Sequence, residues 1–354
     1  MSMARYWQRA AAAALIVLAL AGCNRMPEPY RQESYVFGTR VELTLYADDQ
    51  ALAARAAAAV LADLDRLHRQ LHAWAPDGEV AAANRALAAG QPFIPSPELA
   101  ELLSKGQGLE VQSDGLFSPA IGALVAAWGF HADSYAARLP DRQLLARLVA
   151  EQPRLADLHT SEKGMVGRTR AIQLDFGGMA KGWALDRARR QLLKAGISSA
   201  LLNIGGNIIA LGHKPDGSAW QVGIRHPRRG EAMASIALAD GEALGTSGDY
   251  QRYFELDGKR YCHLIDPRDG NADCRVQSVS VLARPGADAG LLSDAASKPL
   301  YFAGPAAAPK MARRFDLGGW LLIDAHGAAW IDPAMRARLQ WRVRPTVIHV
   351  TGTP

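Results

Sequence analysis

Leu-Asp-Phe-Gly-Gly-Met-Ala-Lys-Gly-Trp-Ala-Leu-Asp spans residues 174–186 and joins a predicted strand to a predicted helix. Asp175 follows the apolar strand end, two glycines come next, and Lys181 lies in the first turn of the helix. Backbone N–H groups at such a helix start, together with a lysine, attract an anion. Two glycines alone would equally suit an ordinary strand-to-helix turn. With Asp175 and Lys181 on either side of them, we predict a corner that binds phosphate.

The chain before this stretch is predicted to be mainly helical. A first helix begins after Asp48 or Asp49 and carries an apolar face formed by Val60, Leu64, Leu67 and Leu71. Ser96-Pro97-Glu98 is typical of a second helix start, and Asp141 of a third. The helix that contains Lys181 is expected to end at Gly196.

The chain after Gly196 is predicted to consist mainly of strands. Their expected bounds are 199–209, 220–225, 234–239, 250–256, 259–264, 276–282, 320–323 and 329–331. Asp257-Gly258 is a strong hairpin signal. Residues 41–46 alternate like an early half-buried strand, and residues 287–297 are expected to form a short helix. Helices grouped early and strands grouped late predict an α+β fold, with a mainly antiparallel sheet and packed helices in one large domain over residues 34–335.

The N-terminus reads as a secretory signal. Arg5 and Arg9 precede an apolar run over residues 10–20, which is too short to span a membrane and ends in Leu-Ala-Gly-Cys23. This ending resembles the bacterial lipobox, in which the cysteine is acylated; an ordinary signal peptide with a chance cysteine is the alternative. We expect a signal peptide over 1–22, lipidation at Cys23, a tether over 23–33 and a C-terminal tail over 336–354. The expected location is the bacterial cell envelope, lipid-anchored to a membrane and facing the periplasm.

Composition excludes several function classes. The 354 residues are 49% hydrophobic and 21% charged, as in a globular protein. The net charge of +5 becomes +3 without Arg5 and Arg9, and no basic run is interleaved with aromatic residues, so nucleic acid is not an expected partner. The sequence has no GxGxxG, Walker A, GxSxG, HExxH or CxxC motif, which leaves dinucleotide, P-loop, hydrolase and zinc chemistry without their usual marks.

The cysteines and a basic loop give weaker indications of structure or function. Cys262 and Cys274 either form a disulfide or remain free thiols, since the eleven residues between them contain a turn. Arg225, Arg228 and Arg229 form a basic loop that is predicted to be solvated.

Five separated motifs carry the functional signal. They are Phe37-Gly38-Thr39, Phe117-Ser118-Pro119 with Gly122, residues 175–186, Asn203-Ile204-Gly205-Gly206-Asn207, and Thr246-Ser247-Gly248-Asp249-Tyr250 with His263-Leu264-Ile265-Asp266-Pro267-Arg268-Asp269-Gly270. In this order, over residues 34–325, they resemble the ApbE family, the FAD:protein FMN transferases. That family reads Asp-Leu-Gly-Gly-Ile-Ala-Lys-Gly-Tyr-Ala-Val-Asp where this chain has residues 175–186.

The resemblance implies an envelope enzyme that moves FMN from FAD onto a threonine or serine of a partner flavoprotein. A phosphoester bond forms, AMP is released, and Mg²⁺ is the cofactor. Two alternatives use the same site: an FAD pyrophosphatase that yields FMN and AMP, and a non-catalytic lipoprotein that binds FAD.

The resemblance also implies roles for individual residues. The metal ion would be held by the carbonyl of Gly178 and the carboxylate of Asp294. The flavin nucleotide would contact a larger set: Phe37, Trp74, Leu116, Phe117, Ser118, Asp175, Lys181 and Leu264. His263 is the candidate base, because an imidazole accepts a proton at neutral pH. A half-buried structural histidine is its alternative role.

Four positions depart from the family pattern. Phe37 replaces methionine, Ser118 replaces aspartate and Asn207 replaces aspartate. Lys298 stands where the family has a threonine metal ligand, four residues after Asp294. A protonated lysine has no lone pair for Mg²⁺, so Ser297 becomes the candidate for the missing oxygen.

Overall fold

The computed structural model of the protein describes residues 27–132, 134 and 136–351, so the signal peptide and Cys23 lie outside the described residues. The strands are β1 Tyr30–Val36, β2 Thr39–Tyr46, β3 Leu158–Ser161, β4 Gly164–Gly167, β5 Ser199–Ile204, β6 Asn207–Leu211, β7 Trp220–Arg225, β8 Ala232–Leu238, β9 Ala243–Gly248, β10 Tyr253–Leu256, β11 Lys259–Cys262, β12 Val276–Ala283, β13 Gly319–Asp324, β14 Ala329–Ile331, β15 Gln340–Trp341 and β16 Ile348–Val350. The α-helices are α1 Gln50–Leu71, α2 Glu79–Ala89, α3 Pro97–Gln112, α4 Gly122–Ala127, α5 Arg142–Glu151, α6 Ala180–Lys194, α7 Ala289–Arg314 and α8 Pro333–Arg338.

One large sheet organises these elements. Its nine strands follow the order β1-β2-β5-β6-β9-β12-β13-β14-β16, and every neighbouring pair is antiparallel except β14 with β16. A three-stranded sheet, β15-β8-β7, and the hairpins β10-β11 and β3-β4 complete the strands. The predicted α+β fold with a mainly antiparallel sheet is confirmed. Among the described residues, none of the helices combines the length and hydrophobicity needed to cross a bilayer.

Strand β6 shows that both faces of the large sheet are covered. All five of its residues are buried. Ile209 and Leu211 pack with residues of α1 and α6, whereas Ile208 and Ala210 pack with residues of β7 and β8. Since successive side chains of a strand point to opposite faces, this sheet lies between a helical layer and the three-stranded sheet.

The predicted helix starts are confirmed by their caps. Asp49, and not Asp48, accepts from the backbone N–H of Ala51 at 2.8 Å. Ser96 accepts from Leu99 at 3.2 Å, and Asp141 accepts from Leu144 at 2.7 Å. Each cap satisfies a backbone donor that has no partner inside its own helix, which is why these local signals could be read from the sequence.

The structure differs from the predicted elements at several places. Residues 199–209 form two strands, because Gly205 and Gly206 adopt left-handed backbone conformations (φ 60° and 92°) and turn the chain into the β5-β6 hairpin. The helix expected over 287–297 runs on to Arg314, with a break at Gly304. Strand β9 was not predicted, since its Thr-Ser-Gly segment carries little strand signal.

The expected tether and tail are also partly wrong. Residues 30–33 belong to β1, which pairs with β2 along its whole length. At the other end, β15 pairs with β8, and β16 pairs with β14. Residues 30–33, 340–341 and 348–350 are therefore part of the folded sheets.

Helices α6 and α7 approach unusually closely at two glycines. A Cβ atom added to Gly182 would lie 2.2 Å from the carbonyl oxygen of Gly290, and one added to Gly290 would lie 2.5 Å from the carbonyl oxygen of Gly182. Each helix also places an aspartate at the start of the other. Asp186 of α6 accepts from the backbone N–H groups of Gly290 and Leu291 at 2.7 and 2.8 Å.

The second aspartate, Asp294 of α7, accepts from the N–H of Gly182 at 3.0 Å. A carboxylate near a helix N-terminus is favourable, because it meets unpaired donors and the positive end of the helix dipole. Burial nevertheless raises the pKa of Asp186 to about 7. This reciprocal capping fixes how the two helices cross.

Gly182→Ala should destabilise the protein by about 1–3 kcal/mol, because the new methyl group would overlap the main chain of α7. The matched control is Gly108→Ala in α3, where an added Cβ meets nothing within 4 Å. That change should be stabilising by about 0.5–1 kcal/mol, since alanine favours helix more than glycine does. Urea unfolding followed by circular dichroism measures both. Equal unfolding midpoints for Gly182→Ala and wild type would contradict the close approach.

Candidate active site

Asp175 joins three parts of the predicted phosphate-binding corner. Its Oδ1 accepts from the N–H of Gly177 at 2.8 Å, and its Oδ2 accepts from the indole N–H of Trp74 at 3.1 Å. Its own backbone N–H donates to the carbonyl of Pro119 at 2.8 Å. The structure therefore brings together Trp74, Asp175 and the segment after Ser118, which come from three distant parts of the sequence.

The predicted flavin-contact segment 116–118 is mostly internal. Leu116 and Phe117 are buried in the hydrophobic core, while Ser118 is half-buried. The hydroxyl of Ser118 donates to the carboxylate of Glu110, whose other oxygen accepts from the N–H of Leu155 at 3.0 Å. Burial raises the pKa of Glu110. A carboxylate is thus present beside Ser118, although it comes from α3 and not from position 118.

Phe37 and Leu264 occupy different settings. Phe37 lies in the two-residue turn between β1 and β2 with a φ of +56°, a conformation that costs a non-glycine residue roughly 1 kcal/mol or more. Its ring makes an edge contact with His68 at a centroid distance of 5.6 Å. Leu264 follows β11 and is buried in the core. Their roles as flavin contacts stay predictions.

His263 is half-buried immediately after β11. Its Nδ1 lies 3.2 Å from the carbonyl oxygen of Arg252. Because a carbonyl can only accept, Nδ1 carries the proton in this bond, and Nε2 keeps a free lone pair. Burial lowers the pKa of His263 to about 3, and the positive charges of Arg252, Lys181 and Lys298 act in the same direction. The imidazole is therefore neutral at physiological pH and has one nitrogen available to accept a proton.

Asp294 lies at the centre of a small charged cluster. Its side chain is 2% exposed. Oδ1 accepts from the ammonium of Lys298 at 2.5 Å, and Oδ2 lies 3.6 Å from the ammonium of Lys181. Burial alone would raise the pKa of Asp294, but the two lysines hold it below its ordinary value. Burial also lowers the pKa of Lys298 to about 8.

The three expected magnesium ligands, Gly178, Asp294 and Ser297, do not present a cation site. Asp294 is already engaged by Lys298, Lys181 and the N–H of Gly182. Ser297 is fully buried, and its hydroxyl is bonded to the carbonyl of Asp294 at 2.6 Å and to Ser247 at 2.7 Å.

Gly178 lies beside the side chain of Lys298. A Cβ atom added to Gly178 would lie 3.7 Å from the Cε of Lys298. Within the part of the chain that the structure describes, no group of three or more His, Cys, Asp or Glu residues could hold a metal ion. Because the Asp294 carboxylate is held by Lys298 and Gly182 and the Ser297 hydroxyl is bonded to Asp294 and Ser247, this donor set does not fit Mg²⁺.

Comparison with known proteins identifies the family. The model of the ApbE family matches residues 37–319. This chain belongs to the ApbE family. It is 42% identical over 327 residues to an FAD:protein FMN transferase of Rhodobacter capsulatus, a match that covers 91% of this chain and 61% of that protein. It is 32% identical over 259 residues to an FAD:protein FMN transferase of Klebsiella pneumoniae, covering 72% of this chain and 77% of the relative.

Solved structures agree with this assignment. The ApbE protein of Thermotoga maritima has a TM-score of 0.76 at 26% identity, covering 85% of this chain and 96% of its own. The flavinyl transferase ApbE of Pseudomonas stutzeri has a TM-score of 0.73 at 28% identity, covering 85% and 93%. The resemblance drawn from the ordered motifs and the expected fold are both confirmed.

Two site features of this ApbE chain escaped the sequence analysis. Asn84 of α2 donates to the carbonyl of Leu174 at 2.9 Å and accepts from its N–H at 2.7 Å, so a side chain fixes the strand end before Asp175. Asn84 stands out as a polar residue in an alanine-rich helix, which was a usable signal. Glu110, in contrast, offered none, because its partners are distant in sequence.

The three arginines of the basic loop, Arg225, Arg228 and Arg229, are exposed as predicted, but two of them also contact the Thr-Ser-Gly-Asp-Tyr motif. Arg228 forms a two-pronged ion pair with the buried carboxylate of Asp249, at 2.6 and 2.7 Å. The guanidinium carbon of Arg225 lies over the ring of Tyr250, 5.2 Å from the ring centre. The loop is therefore anchored to the Thr-Ser-Gly-Asp-Tyr motif.

Cys262 and Cys274 are free thiols.

Proposed function

We propose that this protein transfers FMN from FAD to a threonine or serine hydroxyl of a partner flavoprotein and releases AMP. The relatives from R. capsulatus and K. pneumoniae carry the name FAD:protein FMN transferase. The chain spans 61% of the length of the R. capsulatus relative. The observation that carries the proposal is the setting of His263: its Nδ1 is held by the carbonyl of Arg252, its Nε2 keeps a lone pair, and it lies near enough to Lys181 and Lys298 to interact with their charges.

The proposed reaction is a displacement at phosphorus. The acceptor hydroxyl oxygen forms a bond to the FMN phosphorus of FAD, and the bond from that phosphorus to the bridging oxygen breaks. AMP leaves with the bridging oxygen, and the hydroxyl proton passes to Nε2 of His263. Such a reaction is accelerated mainly by holding the reactants in line and by neutralising charge on the phosphates.

The described residues supply these two requirements. Lys181 and Lys298 provide positive charge beside the helix start that follows Gly177-Gly178, a setting that favours anions. Trp74 and Asp175 are held to each other and offer an aromatic surface and a polar group for the flavin nucleotide. Mg²⁺, which the family resemblance implies, would add charge neutralisation. Since its expected ligands do not fit it here, no step is assigned to a metal ion.

Incubating the purified protein with FAD and a flavoprotein domain that carries an acceptor threonine should give covalently bound flavin and one AMP per flavin attached. Covalent flavin is read by in-gel fluorescence and mass spectrometry, and AMP by chromatography. An acceptor with threonine changed to alanine is the control. AMP release at an equal rate without acceptor would favour an FAD pyrophosphatase, and tight FAD binding without any AMP would favour a non-catalytic flavin-binding protein.

His263→Ala should lower the rate of FMN transfer by about 10²–10⁴-fold with little change in FAD affinity, because a base acts in the transition state. With its pKa lowered to about 3, His263 stays unprotonated across the neutral range. The wild-type rate should therefore show no loss on acidification with a midpoint near the ordinary histidine value of 6.5. Stopped assays over a pH series measure both effects.

The control for this variant is His159→Ala, since His159 is exposed on β3. It should transfer FMN at the wild-type rate. A His263→Ala enzyme that works within a few-fold of wild type would remove His263 as the base and make Asp266 the next candidate.

We also propose that the protein is anchored at the cell envelope through a lipid on Cys23 and works on the periplasmic side. The support is the Leu-Ala-Gly-Cys ending of the signal sequence. Cys23→Ser should abolish acylation and release the protein from the membrane fraction or leave it unprocessed. Fractionation with immunoblotting, and labelling with a fatty-acid analogue, measure this. Cys274→Ser is the control, because Cys274 lies in the folded domain. A Cys23→Ser protein that is still processed and membrane-bound would refute the anchor.

A further inference from the structure

Lys298 turns back along its own helix and holds Asp294. Its ammonium donates to Oδ1 of Asp294 at 2.5 Å and to the main-chain oxygen of the same residue at 2.7 Å. The Lys298 side chain is only 12% exposed and that of Asp294 only 2%. Both acceptor oxygens belong to Asp294, one helical turn before Lys298. They hold the ammonium in an environment that is largely inaccessible to water.

The end of this side chain reaches the expected metal position. Gly178 and Asp294 are the two residues that the family resemblance assigns to the ion. The ammonium of Lys298 is bonded to Asp294, and its Cε lies beside Gly178.

Lys181 adds a second positive charge from α6. Its ammonium lies 3.6 Å from Oδ2 of Asp294 and donates to the carbonyl of Gly177 at 3.0 Å. Two ammonium groups against one carboxylate leave a net positive charge. Because each ammonium has three N–H donors, both lysines keep donors for an incoming anion. Lys181 is also 24% exposed, so a ligand can approach it from solvent.

We propose that Lys298 is a built-in substitute for the divalent cation, and that Lys298 and Lys181 together bind the pyrophosphate of FAD without a metal ion. The identity of the anion rests on the proposed function. Ammonium groups suit this role because lysine is a compact point charge that makes charge-assisted hydrogen bonds to phosphate oxygens.

A purely structural ion pair makes a different prediction. If Lys298 only neutralised Asp294, a metal ion would still be needed to neutralise the pyrophosphate, and FAD affinity would depend on Mg²⁺. The affinity for FAD with and without metal therefore separates the two roles, and it does so without any measurement of turnover.

The first measurement is FAD binding by the wild-type protein, followed through flavin fluorescence in excess EDTA and in Mg²⁺. We expect the same dissociation constant in both. Lys298→Thr, which restores the family residue, should bind FAD about 10- to 100-fold more weakly in EDTA, since a charge-assisted bond to phosphate is lost. Added Mg²⁺ should restore its affinity. Calorimetric titration with Mg²⁺ alone should show binding to Lys298→Thr and none to wild type.

Lys310→Thr is the matched control, because Lys310 is an exposed lysine of the same helix. It should behave as wild type in every titration. A wild-type affinity that falls about tenfold or more in EDTA, or stoichiometric Mg²⁺ binding by wild type, would overturn the proposal.

The wild-type comparison decides the matter even if circular dichroism shows Lys298→Thr to be misfolded. Metal-independent FAD binding without FMN transfer to any acceptor would refute the proposed function and leave the role of Lys298 standing. Metal-dependent FAD binding with efficient FMN transfer would support the proposed function and refute the proposed role of Lys298.

Discussion

The contact of Gly182 with Gly290 is the constraint on which the rest of the site depends. No side chain separates the two helices at this point, so their main chains touch. This closeness lets Asp186 reach the first N–H groups of α7 and lets Asp294 reach the first turn of α6. The helices are thereby locked in position by hydrogen bonds at both starts, as well as by packing. Any residue larger than glycine would separate the donors from the acceptors.

The crossing of α6 and α7 also determines which charged groups meet at the site. Because Asp294 caps the first turn of α6 at Gly182, the neighbouring residue Lys181 is brought within 3.6 Å of the same carboxylate. Lys298, one turn further along α7, binds the other oxygen of this carboxylate, Oδ1. A carboxylate that caps a helix thus also sets the spacing of two cations. Removing Asp294 would change both the helix crossing and the charge of the site. Substitutions of the neighbouring lysines are therefore more informative about the function of the site.

Local sequence signals made many of the helix starts and turns predictable. The caps at Asp49, Ser96 and Asp141 and the Asp257-Gly258 turn involve partners within a few residues, and each was recognised. The Gly205-Gly206 hairpin was missed, because both flanking segments are apolar and nothing in their alternation showed where one strand ended.

Partners far apart in sequence were the other source of error. Lys298 could be excluded as a metal ligand from its chemistry, yet its bond to Asp294 needed the direction of the side chain on the helix. Asn84 with Leu174, Glu110 with Leu155, and Arg228 with Asp249 pair residues whose sequence separation hides them. The order of motifs identified the family, and the tertiary structure showed how its residues are connected.

The position of β2 in the large sheet has a consequence for how the chain folds. Strand β2 pairs with β1 on one side and with β5 on the other, so Val41 lies opposite Ile204. A two-stranded hairpin alone is marginally stable in water. The N-terminal hairpin therefore has no sheet to join until the chain has been made well past the central corner, and closing that long loop delays its burial. Until residues 199–204 are available, β2 carries an unpaired strand edge, and protection of that edge by a chaperone would favour correct pairing over aggregation.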